Sequence, residues 1–259
     1  MKLHVVPARS GARWVRDGMR TFARQPLIMG GLFFMFVIAI SLPTIVPVLG
    51  FVFALGLVPT ATVGFMVGAS EVEAGRLPKP LVLFTALRQG PVQTRRMVTL
   101  GAIYAAAVMA VMGLSFLIDG GEFASLYMGH SSMTPAMAAD PRFRLAMWMT
   151  LALYVPISVA FWFAPPLVHW HAVTPVKSLF FSIVAVWRNL RAFMVYGMLW
   201  TAFSALGSAV LLVVMAISGS SALASVSFVV FGLVLAAMFF SSLWFTFRDC
   251  FPADDTPAE

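Results

Sequence analysis

Few residues in this chain are suited to chemistry, and the first to test are the two histidines of "VHWH", His169 and His171. Imidazoles two positions apart share a face only in extended structure; on a helix they point about 160° apart. A zinc site would also need further Cys, Asp, Glu or His donors, and no Cys, Asp or Glu lies close in sequence. No metal or other cofactor is therefore expected, and both histidines are read as structural or boundary residues. Serines are numerous, but no GxSxG or SxxK occurs and no Ser–His–Asp combination is evident, so no activated nucleophile is expected. Neither GxxxxGK[ST] nor GxGxxG is present, which leaves nucleotide binding without support. The single cysteine, Cys250, excludes an internal disulfide and any CxxC motif.

A second group of candidates interrupts apolar runs. Pro59, Thr60 and Thr62 fall in one such run, and Tyr154 with Pro156 in another. A proline within a membrane helix frees a carbonyl and can kink the helix. Pro59, Thr60 and Pro156 could then line a small-molecule cavity, although a packed kink is the commoner outcome. The GxxxG of Gly64 and Gly68, and the small residues Gly101, Ala105 and Ala106, permit close helix contact. Packing within a bundle is expected there, with homo-oligomerisation as the alternative.

The sharpest pattern is basic. Arg9, Arg13, Arg16, Arg20 and Arg24 follow one another at steps of three or four residues, so on a helix they fill an arc of about 80°. Trp14, Val15, Met19 and Phe22 take the opposite side. Such a helix is suited to lie in a membrane interface, apolar face inward. Crowded arginines repel, and anionic headgroups would offset this by about 1 kcal/mol per basic residue. Glu71, Glu73, Asp249, Asp254 and Asp255, expected on the same side, would do likewise.

The elements that hold these residues follow from composition. Of 259 residues, 61% are hydrophobic and 10% charged, against about 25% charged in an ordinary soluble domain. So much apolar surface requires a membrane. The chain is expected to form one all-α integral membrane domain over residues 1–259, with six spans near 27–45, 51–69, 97–118, 145–164, 193–217 and 222–245. None of the six contains Asp, Glu, Lys, Arg or His. Proton- or sodium-coupled carriers usually place an acid or a polar cluster at mid-membrane. "PTIVPVLG" and "SGSS" make tight hairpins, Asp119-Gly120-Gly121 reads as a helix stop, and Asp140-Pro141 as a helix start. Fifteen of the 17 basic residues fall on one side, Arg142 and Arg144 being the exceptions. The positive-inside rule then puts both termini in the cytoplasm, and in a bacterium the membrane is the inner one. Basic residues spread over four membrane-proximal segments also argue against a nucleic-acid module.

The cytoplasmic segments share a layout: a proline, an amphipathic stretch of some 12–16 residues, more basic residues, and a hairpin of two spans. Pro7, Pro78 and Pro175 precede Gly30, Gly101 and Gly197 by 22 or 23 residues. Three surface helices and three hairpins are expected. In the third unit Thr174 is a plausible N-cap, and Val176, Leu179, Phe180, Ile183, Val186, Trp187 and Leu190 form an apolar arc. Lys177, Ser178, Ser182, Arg188, Asn189 and Arg191 lie opposite. Trp170, Tyr196 and Trp244 suit an aromatic belt at the membrane boundary.

"VVPARSGARWVRDG", "VHWHAVTPVKSLFFS" followed by "WRN", and the "FRDCF" ending resemble an uncharacterised family of six-span integral membrane proteins from betaproteobacteria. The resemblance covers essentially the whole chain. A looser likeness links the layout to the membrane domain appended to some glycerophosphodiester phosphodiesterases, but no phosphodiesterase domain is present here and that activity does not carry over. The resemblance implies membrane class and topology and brings no catalytic residues. The leading expectation is a non-enzymatic protein that organises membrane components or serves a larger complex. It would contact anionic lipid, other membrane proteins or a second copy through Arg9, Arg13, Arg16, Arg20, Arg24, Lys177, Arg188 and Arg191. The alternative is a carrier or channel for a small apolar or amphipathic molecule. A third reading is a lipid enzyme at the interface, using His169, His171 or Asp249.

Overall fold

The computed structural model describes residues 2–46, 48–218 and 221–252, and the described residues contain helices and no strand. In chain order the helices are α1 (Ser10–Arg24), α2 (Pro26–Ser41), α3 (Leu49–Glu73), α4 (Pro91–Asp119), α5 (Glu122–Tyr127), α6 (Pro135–Ala139), α7 (Pro141–Trp162), α8 (Ala164–His171), α9 (Pro175–Arg188), α10 (Leu190–Ser218) and α11 (Ser221–Cys250), with 3-10 turns at Pro43–Ile45 and Pro80–Leu87. Among the described residues six stretches are long and apolar enough to cross a bilayer: Pro26–Ile45, Leu49–Glu73, Pro91–Asp119, Pro141–His171, Leu190–Ser218 and Ser225–Cys250. The chain is an all-α polytopic membrane protein. Its spans pair in sequence as α2 with α3, α4 with α7, and α10 with α11.

Local chemistry accounts for several boundaries. Asp140 caps α7, its Oδ1 accepting from Arg142 N at 2.8 Å with Pro141 in the first turn. Gly120 ends α4 in the left-handed region at φ +70°, and the Asp119 carboxylate then accepts from Gly121 N and Phe123 N to start α5. Thr174 precedes α9, but its side chain makes no cap.

Helix α11 sits at the centre, against α1, α2, α3 and α10. Phe33, Phe36, Phe65 and Phe240 interlock there at centroid distances of 4.8–6.1 Å. Between α4 and α7 the Tyr104 and Tyr154 hydroxyls bond at 2.7 Å, so each satisfies the other inside an apolar slab. Helix α10 is peripheral, touching chiefly α1 and α11.

The second expected surface helix is corrected. The segment after Pro78 forms only the eight-residue 3-10 turn Pro80–Leu87, laid against α3. Gly64 makes that approach possible, since a Cβ there would overlap Leu83 and Val82, and Gly68 faces Leu32 and Val82. The GxxxG thus packs within the bundle. Because α4 begins at Pro91, Arg95 and Arg96 join its first turns instead of a separate helix.

Candidate lipid-contacting surface

Helix α1 carries four arginines of the row and Arg9 immediately precedes it; all five are exposed. Its other face is closed by protein. Trp14 and Val15 are buried, packed with Tyr196, Trp200, Leu243 and Phe247. Two glycines set the approach: a Cβ at Gly11 would overlap the Ala192 carbonyl of α10, and one at Gly18 would overlap Ser242 of α11. This corrects the expectation that the apolar face enters lipid. Tyr196 is likewise no belt residue; it is 2% exposed and bonds Ser242 Oγ at 2.6 Å.

Asp249 and Glu73 are engaged by groups outside the arginine row. Asp249 accepts from Trp14 Nε1 at 2.9 Å and from Arg248, and Glu73 accepts from Trp244 Nε1 at 2.7 Å and from Arg248. Trp14, Asp249, Arg248, Glu73 and Trp244 therefore tie α1, α11 and α3 together. Among the described residues Arg16 pairs only with its neighbour Asp17, at 3.3 Å, and Arg13 donates to Ser10 Oγ at 2.6 Å. Arg9, Arg20 and Arg24 have no acidic partner among the described residues; Asp254 and Asp255 lie outside them.

Helix α9 is turned the other way. Ser178, Ser182 and Ala185 are buried against the bundle, followed by Asn189 just past the helix end. Val176, Phe180, Ile183 and Trp187 are exposed, Trp187 by 75%. Ser182 enters the backbone ladder of its neighbour: its Oγ donates to Val159 O at 2.7 Å and accepts from Phe163 N at 2.9 Å. The hydroxyl stands where a direct helical bond would run, and α7 gives way to α8 at that residue. Asn189 accepts from Val6 N at 2.8 Å and donates to His4 O and Ala185 O, so it straps the N-terminal segment to the α9–α10 junction. His4 N also donates to Cys250 O. The sequence reading missed this strap; its signal was an asparagine on the same helical face as Ser178 and Ser182. Lys177, Arg188 and Arg191 are exposed, and the two arginines line a recess of about 600 Å³ with Val5–Ala8.

The remaining candidates are dispersed. His169 is 7% exposed, with Nε2 at 3.3 Å from Gln89 Nε2; Gln93 and Arg96 meet the Val168 and Ala172 carbonyls beside it. His171 faces the rings of Phe247 and Phe251. Among the described residues no three His, Cys, Asp or Glu form a metal-binding group. Pro59 and Thr60 are buried in an unbroken α3, where Thr62 Oγ1 donates to Val58 O at 2.9 Å. Pro156 is exposed on α7.

Where α1 crosses α10 and α11 the surface opens. One groove of about 470 Å³ lies between Arg16, Met19 and Arg20 of α1 and Leu199, Phe203 and Met238. A second, of about 430 Å³, continues between α10 and α11, sharing Met19, Phe203 and Met238 and reaching Gly207, Leu211 and Phe231.

Six apolar helices in three hairpins, bordered by basic amphipathic helices, define a polytopic α-helical membrane protein. The chain is 39% identical over 261 residues to a probable inner membrane protein of Burkholderia thailandensis, in an alignment covering 100% of this chain and 97% of the relative. It belongs to that family of inner membrane proteins. No family model and no solved structure matches, and the looser likeness to the phosphodiesterase-linked membrane domain has no support.

Proposed function

We propose that the protein is a non-enzymatic, lipid-contacting organiser of the inner membrane, or an accessory subunit within it, and that anionic phospholipid is its principal partner. One observation carries this reading: α1 is fixed to α10 and α11 by a closed apolar face, while Arg9 and the four arginines of α1 are exposed, Arg16 alone among them pairs with an acid of the described residues (Asp17), and Glu73 and Asp249 are bonded to other groups. A fixed row of arginines with a single acidic partner at a bilayer edge attracts anionic headgroups. The carrier or channel reading draws less support, because Pro156 faces outward and Pro59 sits in a continuous buried helix.

Purification in mild detergent, followed by lipid and protein mass spectrometry, tests the proposal. Phosphatidylglycerol or cardiolipin enriched over its share of the membrane is the expected result. Recovery of bulk lipid proportions with no protein partner would sink it. Cytoplasmic termini belong to the same reading. Cys250 is fully buried and cannot report orientation by labelling. Ala12→Cys and Ser131→Cys, both at exposed positions, can: a membrane-impermeant maleimide applied to intact spheroplasts should label the second and spare the first. Labelling of the first alone reverses the orientation.

A further inference from the structure

We infer that the continuous cleft formed by α1, α10 and α11 is a binding site for one anionic diacyl phospholipid, its phosphate between Arg16 and Arg20 and an acyl chain between α10 and α11. This rests on the proposed lipid-contacting role and names its site and ligand. Three features of the cleft select such a molecule.

The first is its division. The end under α1 is bordered by Arg16 and Arg20, whose stems line it and whose guanidinium groups lie at its mouth, and the rest is walled by aliphatic, aromatic and Met side chains. A ligand that fills both parts must be anionic at one end and hydrocarbon beyond. The second is length. From Leu199 to Leu211 the cleft follows α10 for about 18 Å at 1.5 Å per residue, close to one leaflet of a hydrocarbon core of about 30 Å. A helix from a partner would need no cationic end; an acyl chain below a phosphate fits both. The third is the depth of the cleft at Gly207. A Cβ there would overlap the Phe231 ring, so ring and glycine meet as a floor. Leu206 and Val210 stand at its rim, 65% and 54% exposed.

The arginines suit the task. Arg20 has no acidic partner among the described residues, and Arg16 engages Asp17 through Nε alone, which leaves its terminal nitrogens available. Their long stems run along the apolar wall while the charged heads reach the headgroup layer. Guanidinium groups clasp phosphate oxygens with paired hydrogen bonds.

The test is native mass spectrometry of the full-length protein in dodecyl maltoside, titrated with palmitoyl-oleoyl phosphatidylglycerol or phosphatidylcholine. One phosphatidylglycerol should be retained in preference to phosphatidylcholine. Arg16→Gln with Arg20→Gln should weaken phosphatidylglycerol binding roughly thirty-fold, the product of two near-surface basic residues, and abolish the preference. Leu206→Trp with Val210→Trp, which narrows the rim without touching an arginine, should weaken both lipids about ten-fold. The four side chains are exposed, so the melting temperature should hold; if the tryptophan pair unfolds, the glutamine pair still decides. Phosphatidylglycerol binding that survives the glutamine substitutions overturns the site, although the lipid-contacting role stands if enrichment persists. Absence of any preference in the unaltered protein overturns both. A dimer lost on the tryptophan substitutions also overturns the site, since a second copy then fills the cleft.

Discussion

Helices α1 and α9 share a design and use it in opposite ways. Both precede a hairpin, both carry basic residues, and both divide into a large-residue face and a small or polar face. Helix α1 buries its large residues, Trp14, Val15 and Phe22, and shows its charges. Helix α9 buries Ser178, Ser182 and Ala185 and shows Phe180, Ile183 and Trp187. The difference lies in what each docks against. A membrane offers two apolar media, lipid and protein interior, and hydrophobicity does not choose between them. Small residues do, because they let backbones approach. In α1 glycines lie on the large-residue face, so that face meets α10 and α11. In α9 serines and alanine lie on the opposite face, so the aromatic side is left exposed.

The comparison breaks most visibly at Gly18. Gly18→Leu would drive a side chain into the backbone of Ser242, an overpacking that helix motion alone can relieve. Loss of about 3 kcal/mol or more is expected, read as a lower detergent melting temperature and protease sensitivity before Pro26. A variant that melts with the unaltered protein would mean that α1 is not held by this contact.

A smaller effect is expected at Ser182. Ser182→Ala removes the hydroxyl between Val159 O and Phe163 N. Either the Phe163 amide is left buried and unpaired, or α7 straightens and α9 loses its seat. Both cost about 1–3 kcal/mol, and Ser182→Cys, which keeps a weak donor, should recover part of the loss. Equal stability of Ser182→Ala and the unaltered protein would show that the polar face of α9 is not what docks it.

Much of this was legible. The absence of charge from six long apolar runs determines the class, and the arginine spacing in residues 9–24 determines one helix face. The Asp140-Pro141 start and the Asp119-Gly120 stop appear as their residue types require. The apolar face of α1 was assigned to lipid because Trp14 and Val15 are equally at home there. Gly11 and Gly18, seven residues apart on that face, carried the missing information. Ser178 and Ser182 were read as outward because hydroxyls favour water; in a bilayer they bond backbone carbonyls and pack closely. The segment after Pro78 followed the repeat in composition, yet Gly90-Pro91 restarted the helix there and left room only for a 3-10 turn. The cleft was out of reach, since it depends on α10 standing apart from the bundle.

The smallest expected effect separates the two helices most cleanly. Trp187 is 75% exposed and Trp14 is fully buried, although both occupy the large-residue face of a basic amphipathic helix. Trp187→Ser should change detergent stability by no more than about 0.5 kcal/mol, as surface substitutions do. Its consequence should appear only in a bilayer. In vesicles of brominated phosphatidylcholine, bromine quenches indoles that reach the acyl region. A variant whose sole tryptophan is Trp187 should be quenched strongly, and one retaining only Trp14 should not. Quenching of Trp14 would return the α1 face to lipid and remove the wall on which the phospholipid cleft depends. A silent Trp187 would place the α9 stripe against protein instead, in which case a partner subunit, and not the bilayer, covers Phe180 and Ile183.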